Sequence, residues 1–346
     1  MAERSTLAVR DAVRRALSDV EPGELVLVAC SGGPDSLALA AAAGFVAPRA
    51  GWVAGGIVID HQLQPNSAEI AAWAAGVCRR LGLSPVTVRQ VQVGDAGGPE
   101  SAARDARYLG LRVEAEAAGA VAVLLGHTLE DQAETVLLRL ARGSGARSLA
   151  AMAPRTGLWR RPLLDLPRTI VHDSARDVLA GIGESPWIDP HNADARFARV
   201  RVRESMEALA LALGPGIVGG LARSASLLRD DADALDDWAD REMQAHAQGG
   251  RIEVDALVGL PRAVRTRVIR RMCIEAGAPA GILAHDHVAS AERMVSEWRG
   301  QGPASLPGGI SVSRAGGWVS VTSAETCLRA PDVPPDPGVG LAPRRY

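Results

Sequence analysis

From Glu24 to Leu140, short apolar runs alternate with longer amphipathic stretches. Leu25 to Cys30 carries no polar side chain, which predicts a strand buried on both faces rather than one wetted on alternate positions. Leu37 to Ala43 then predicts a helix. Val53 to Ile59 predicts a second strand, and Ser67 to Leu81 a helix capped by Asn66 or Ser67. Val86 to Val93 reads as a third strand, Glu100 to Ala118 as a helix, Val121 to Leu125 as a fourth strand and Glu130 to Leu140 as a helix. Strict alternation of this kind predicts an α/β fold, a doubly wound parallel sheet with helices on both faces. Ligands of such sheets sit beyond the carboxyl ends of the strands, where the strand order reverses.

After Gly143 the pattern changes. Gly143 to Leu164 is rich in Gly, Arg and Pro, Pro167 to Leu179 and Arg199 to Leu213 read as helices, and Pro186 to Asn192 reads as a loop. Gly214-Pro215-Gly216 is a strong breaker and divides the chain into domains at 1–213 and 214–330. Beyond it come a long acidic helix, Ile217 to Ala247, a basic helix, Arg262 to Ala276, and a small hairpin over Ile310 to Val321 turning at Gly316-Gly317. The second domain is therefore expected to be mostly helical. Residues 331–346 are Pro-rich and expected to be disordered.

Composition narrows the chemistry. Of the 346 residues 47% are hydrophobic but only 3% aromatic, so the core is built from Ala, Val and Leu, which suits helices packed on a parallel sheet. All 38 basic residues are arginine. A P-loop kinase or GTPase needs a lysine on the nucleotide phosphates, and a lysyl-adenylate ligase needs a lysine nucleophile, so both are excluded in their usual form. A net charge of −2 gives no overall pull toward nucleic acid, although local patches remain open. Cys30, Cys78, Cys273 and Cys327 form no CxxC pair, the first nineteen residues are charged throughout, and the longest apolar run, Leu37 to Ala47, is too short to span a bilayer. A soluble, cytoplasmic protein with reduced thiols is expected.

The first candidate site is Ser31-Gly32-Gly33-Pro34-Asp35-Ser36, directly after the first strand and opening a helix. Two glycines let backbone approach an anion, backbone amides and the helix dipole favour negative charge, and Ser31 and Ser36 add hydroxyls. Asp35 would repel phosphate unless a bridging Mg²⁺ intervenes. The plain alternative is a strand-to-helix turn, for which Gly-Gly-Pro-Asp is good chemistry. Asp60 and His61 end the second strand beside this loop, as a nucleotide contact or as a surface carboxylate and its neighbour. Gly126 and His127 follow the fourth strand, and Asp131 and Glu134 lie three apart on one face of the next helix. With Asp35 they could hold a metal, or they could simply meet the helix dipole.

The SGGxDS pattern at this place resembles the pyrophosphate loop of the N-type ATP pyrophosphatases, whose adenine nucleotide alpha hydrolase-like fold binds ATP and cleaves it between the α- and β-phosphates. Within that superfamily, His127 and Asp131 to Thr135 resemble the HHxDDQAET element of the tRNA(Ile)-lysidine synthase family, with Thr128 and Glu130 departing from it. Ala103 to Tyr108 resembles ARxxRY. Trp187 to Asp194 resembles WxxDxSNxD with His191 in the serine position, and Phe197 to Arg203 resembles YxRNRIR with Val200 in the asparagine position. The resemblance implies ATP and Mg²⁺ as cofactors, and tRNA(Ile) and free lysine as partners, with a homodimer left open. It implies an ATP-binding domain followed by a tRNA-binding one. It implies Asp35, Asp131, Arg104 and Arg201 as catalytic, Ser31 to Ser36 with Asp60, His61, Gly126 and His127 as nucleotide-binding, and Asp35, Asp131 and Glu134 as metal ligands. The implied reaction ligates lysine to carbon 2 of the wobble cytidine through an adenylated intermediate.

Between Arg139 and Arg203 stand twelve arginines against six acids. This local excess predicts phosphate contacts, while Arg201 and Arg203 could instead pair with Asp189 and Asp194 to hold the loop. Other superfamily members compete: a tRNA thiolase would need a reactive cysteine, a NAD synthetase would not explain His127 to Thr135, and a non-catalytic RNA-binding relic would not keep Asp35, Asp131 and Glu134.

Overall fold

The computed structural model describes residues 2–62, 64–94, 98–189, 194 and 196–323. It divides into two compact units, Met1–Arg229 and Asp230–Tyr346. The boundary expected at Gly214 therefore falls later, inside a helix, because Gly214-Pro215-Gly216 bends the chain without ending the first packed unit. Residues 331–346 and Cys327 lie outside the described residues.

The first unit opens with a helix that the sequence pattern had not suggested, α1 (Ala2–Ala16). Its charges sit around a buried stripe of Val9, Ala12 and Val13, the i, i+3, i+4 spacing of an amphipathic helix. There follow β1 (Leu25–Ala29), α2 (Pro34–Ala50), β2 (Val53–Asp60), α3 (Ser67–Arg80), β3 (Val86–Gln90), α4 (Pro99–Ala118), β4 (Ala122–Leu124) and α5 (Leu129–Leu140). The remaining elements are α6 (Ala146–Leu149), β5 (Arg155–Thr156), β6 (Trp159–Arg160), α7 (Arg168–Ala180), α8 (Ala198–Leu213) and α9 (Ile217–His246), within which the unit boundary falls.

The sheet runs β3-β2-β1-β4-β6-β5, parallel except for the short edge strand β5. Each central strand is apolar throughout because it faces two cores. Val26 and Val28 of β1, Val58 of β2 and Leu124 of β4 enter one core, together with α1, α2, α3 and α7. Leu27, Ala29, Ile57 and Val123 point the other way and meet Leu111 and Ala115 of α4. Strand order reverses between β2 and β4 on either side of β1, so the end of β1 lies at the switch point. Among the described residues no single helix is long and apolar enough to cross a membrane, and only α8 with α9, bent by 101° at their junction, passes such a test together.

The second unit is mostly helical, as expected, and adds a sheet of which the sequence showed only the hairpin. It holds β7 (Ala247–Gln248), β8 (Arg251–Glu253), α10 (Val254–Val258), α11 (Arg262–Glu275), α12 (His285–Ser296), β9 (Ala304–Leu306), β10 (Ile310–Ala315) and β11 (Trp318–Ser323). The strands form one antiparallel sheet in the order β7-β8-β11-β10-β9. The expected hairpin is its centre, and the strands that flank it are only two or three residues long, too short to show a period of two. The basic helix α11 is consumed internally. Arg267 pairs with Asp236 of α9 at 2.8 Å, Arg271 with Asp240, and Arg265 with the buried Glu292 of α12 at 2.6 Å.

Two glycines of the first unit sit in helices under opposite constraints. A Cβ on Gly44 of α2 would lie 2.1 Å from the Leu81 carbonyl oxygen, whereas one on Gly76 of α3 would meet nothing within 4 Å. Gly44→Ala is expected to destabilise by about 1–3 kcal/mol, because the overpacking outweighs the gain in helix propensity. Gly76→Ala is expected to stabilise by up to about 1 kcal/mol. Denaturant midpoints of the two variants check the opposite signs.

Candidate active site

The loop after β1 is closed by one hydroxyl. Ser36 donates to the Gly33 carbonyl at 2.9 Å, accepts the Ser31 amide at 3.2 Å, and stands 3.3 Å from the Ser31 hydroxyl. Ser36 is thus buried structural material, and the exposed Ser31 hydroxyl is the one open to a ligand. Gly33 is the N-cap of α2 and Pro34 its first residue, a position where the missing amide costs nothing. The next amides of the helix have no intrahelical partner and face outward with the positive dipole end. Gly32 has a φ of +83°, and an added Cβ would lie 2.8 Å from the Trp73 ring, so both its conformation and its surroundings require glycine. Gly126 serves the same loop from behind: an added Cβ would stand 3.2 Å from the Asp35 carbonyl group and the Ser36 amide nitrogen.

Two cavities open at this edge of the sheet. One, of about 320 Å³, is lined by Ser31, Gly33, Asp60, Arg107, Trp187 and Asp189 among others. The second, of about 210 Å³, is lined by Arg104, Tyr108, His127 and Arg199. His61 and Arg107 line both and form the wall they share. Asp60 is buried and organises the turn: its Oδ1 accepts the amide of Gln62, which has a φ of +55°. Burial, then the Arg107 charge, pushes the His61 imidazolium down. Burial likewise lowers the Arg107 guanidinium, which has no carboxylate partner among the described residues. Arg104 donates to the Tyr108 hydroxyl at 3.2 Å and lies over its ring, and that ring meets Trp159 edge-on.

The carboxylates expected to share a metal do gather, but around a guanidinium. Arg168 donates to Asp131 at 3.0 Å and to Glu134 at 3.3 Å, and Glu130 accepts the Arg168 amide at 2.8 Å. Arg203 adds a second clamp on Glu134, at 2.9 and 3.4 Å. Burial opposes ionisation of Asp131, but the Arg168 guanidinium and the Thr128 amide outweigh it and hold the carboxyl below its ordinary range. Among the described residues no three His, Cys, Asp or Glu side chains form a group fit to hold a metal ion. Asp35 is different. Its Oδ1 is buried without a hydrogen bond, 3.1 Å from a His172 Nε2 that also lacks one. That oxygen fits a hard cation, whereas the oxygens of Asp131 and Glu134 are already engaged.

The two departures at the start of α5 have local explanations. Thr128 is fully buried, and its amide and hydroxyl both donate to Asp131 Oδ2, at 2.8 and 3.1 Å. Glu130 caps the first turn of α7 through the Arg168 amide. Gln132 holds the backbone of Met152 in both directions, at 2.9 and 3.0 Å. Val200 is buried in α8, and His191 lies outside the described residues.

The arginine-rich stretch is divided: Arg142, Arg147, Arg155, Arg176, Arg196 and Arg201 are exposed, whereas others are turned inward. Arg139, Arg160 and Arg161 donate to backbone carbonyls, and Arg168 and Arg203 hold carboxylates. Arg203 pairs with Glu134 rather than with the loop acids, Arg201 donates to the Arg196 carbonyl at 2.8 Å, Asp194 holds Arg196, and Asp189 accepts from Gln64 at 3.2 Å. Arg107, Arg168, His172 and Arg199 were not singled out in the sequence. Arg107 lay within the ARxxRY pattern, but Arg168 and His172 offered only their four-residue spacing on one helix face.

Burial pushes His127 down to about 3, and the positive field of Arg107 adds to it against the attraction of Asp131. The imidazole is therefore neutral in the folded chain while an unfolded one protonates near 6.5. This histidine contributes stability that is complete above about pH 6.5 and is lost as pH falls toward 3. Between pH 6.5 and 5 the loss amounts to about 2 kcal/mol, and His127→Gln is expected to lack that increment. Denaturant titrations of both proteins at pH 8 and pH 5 measure the difference.

The chain matches the family model of the PP-loop domain over residues 6–209 and that of the TilS substrate binding domain over residues 253–319. It is 56% identical over 317 residues to a tRNA(Ile)-lysidine synthase of Thermobifida fusca, covering 91% of this chain and 97% of the relative. Identity to a tRNA(Ile)-lysidine synthase of Streptomyces coelicolor is 52% over 299 residues, 85% of this chain and 84% of that one. Among solved structures, the U34-tRNA thiolase NcsA of Methanococcus maripaludis superposes with a TM-score of 0.54 at 18% identity, covering 66% of this chain and 80% of that one, a likeness of fold. With a switch-point phosphate loop, the DQAET helix beside it, and relatives matched over most of their length, the chain belongs to the tRNA(Ile)-lysidine synthase family.

Proposed function

We propose that the protein ligates free lysine to carbon 2 of the wobble cytidine of tRNA(Ile), using ATP and passing through an adenylated cytidine. The observation that carries this reading is the pair of cavities meeting at His61 and Arg107. A nucleotide in the larger cavity places its phosphates on the loop between Ser31 and Ser36. A base in the smaller one would lie among Arg104, Tyr108 and Arg199, with its oxygen meeting the α-phosphorus where the two cavities adjoin beside His61 and Arg107. An RNA base enters such a cavity only unstacked, and an aromatic ring with guanidinium planes suits it.

The residues supply electrostatics and position more than proton transfer. The helix amides and the Ser31 hydroxyl hold the departing pyrophosphate. Arg107, an unpaired charge in a buried wall, stabilises negative charge that develops at the phosphorus. His61 and His127 are neutral at physiological pH, so they neither repel these arginines nor compete with them for phosphate. Lysine then displaces AMP through its ε-amine. Mg²⁺ would neutralise the pyrophosphate charge when bound, and Asp35 would hold it. Asp131 and Glu134 keep Arg168 and Arg203 in place, and Arg201 acts at the entrance to α8. The sulfur-transfer alternative finds no exposed thiol among the described residues, since Cys30, Cys78 and Cys273 are buried.

The test incubates enzyme, ATP, labelled lysine and individual tRNAs, digests the RNA, and looks for the modified nucleoside. Label in tRNA(Ile) alone, with AMP released in equal amount, is the expected result. Sulfur in the RNA, or consumption of ammonia with a nicotinate dinucleotide, would replace this reading by a thiolase or a NAD synthetase. Asp35→Ala is expected to lower tRNA-dependent ATP–pyrophosphate exchange by about a hundredfold or more, with the melting temperature little changed. Normal exchange in that variant would remove Asp35 from the site.

A further inference from the structure

The phosphate loop is gripped from outside by a segment that the mechanism above does not use. Trp73 and Arg80 lie seven residues apart on α3, two turns along one face, and both reach Glu184. The Trp73 indole N–H donates to Glu184 Oε2 at 3.1 Å, and Arg80 donates to Oε1 at 2.5 Å. The same Trp73 ring lies under Gly32, so close that a Cβ there would stand 2.8 Å away. Three residues past Glu184 the Trp187 amide donates to the Gly32 carbonyl at 3.0 Å. Two residues further on, Asp189 accepts from Gln64 at 3.2 Å, and Trp187, Asp189 and Gln64 all line the larger cavity. Gly32 is therefore held between a ring on one side and an amide on the other, and both belong to one hydrogen-bonded assembly centred on Glu184.

We propose that Glu184 and Trp73 are positioning residues for the phosphate loop, acting through Gly32, and that they set the affinity for the diphosphate part of the nucleotide. A loop that binds phosphate through backbone amides gains only if the amides are aimed before the ligand arrives. Gly32, with a positive φ and no side chain, cannot enforce that aim itself. The Glu184 assembly supplies the restraint. Trp73 sets the floor, and the Glu184–Asp189 segment sets the height of the Gly32 carbonyl. The inference rests on ATP occupying the larger cavity.

Direct titration of the whole protein with ATP and, separately, with adenosine tests it without turnover. Glu184→Ala and Trp73→Phe, which keeps the ring but loses the N–H donor, are each expected to weaken ATP binding by about tenfold, the scale of a hydrogen bond to a charged group. Adenosine affinity should be unchanged, because adenosine does not use the loop. Glu184→Gln keeps an acceptor for Trp73 and should restore most of the ATP affinity. A merely structural role would lower ATP and adenosine affinity together with the melting temperature, and that result overturns the inference. So does wild-type ATP affinity in Trp73→Phe, which stands as the decisive variant if Glu184→Ala fails to fold. Wild-type protein that binds no ATP at all would overturn this inference and the proposed function together. ATP binding that is equal in all variants overturns the inference alone.

Discussion

The first unit depends on a buried hydroxyl at the switch point of its sheet. Ser36 bridges the Gly33 carbonyl and the Ser31 amide and so closes the loop between β1 and α2. A parallel sheet covered on both faces must end each strand in irregular backbone, and that backbone has to satisfy its polar groups or present them to a ligand. Here one side chain satisfies the inner groups, which leaves the first amides of α2 to face outward. Gly126, at the end of β4, allows the close approach of backbone that this arrangement requires.

Around that loop, charge is arranged in two zones of opposite sign. On one side Asp35, Glu130, Asp131 and Glu134 surround Arg168, and Arg168 and Arg203 hold Asp131 and Glu134 in ion pairs. On the other side Arg104 and Arg107 stand in cavity walls and form no ion pair among the described residues, beside histidines that burial keeps neutral. In the first zone those four carboxylates face two guanidinium groups, Arg168 and Arg203. The second zone carries an excess of positive charge in a low-dielectric cleft, which is the condition for drawing in phosphate.

The second unit uses the same residue types for a different end. Arg265 is turned inward onto Glu292, and Arg267 and Arg271 reach the acids of α9, so a helix that is basic in sequence presents little free charge. Net charge along a segment therefore says where ionic side chains are, not which way they face. The same lesson holds for Arg160 and Arg203, whose acidic partners Asp19 and Glu134 are distant in sequence.

The sequence by itself determined the alternation of strand and helix from Glu24 to Leu140, because a strand buried on both faces has to be apolar at every position. It also singled out Ser31 to Ser36 as the candidate phosphate loop, because Gly-Gly between a strand and a helix start serves close backbone approach. It could not reveal α1, where the apolar stripe is hidden among charges, or the two- and three-residue strands of the second unit, which are shorter than any period. Tertiary structure decided which hydroxyl of the loop is structural, that Asp131 and Glu134 meet Arg168 and Arg203, and that His61 and Arg107 stand between two cavities. Apart from the loop hydroxyl, whose partners are three and five residues away, those facts are pairings between residues tens of positions apart. Hydrophobic period is a local property that the chain carries with it, whereas the partner of a buried charge is fixed only when the elements pack.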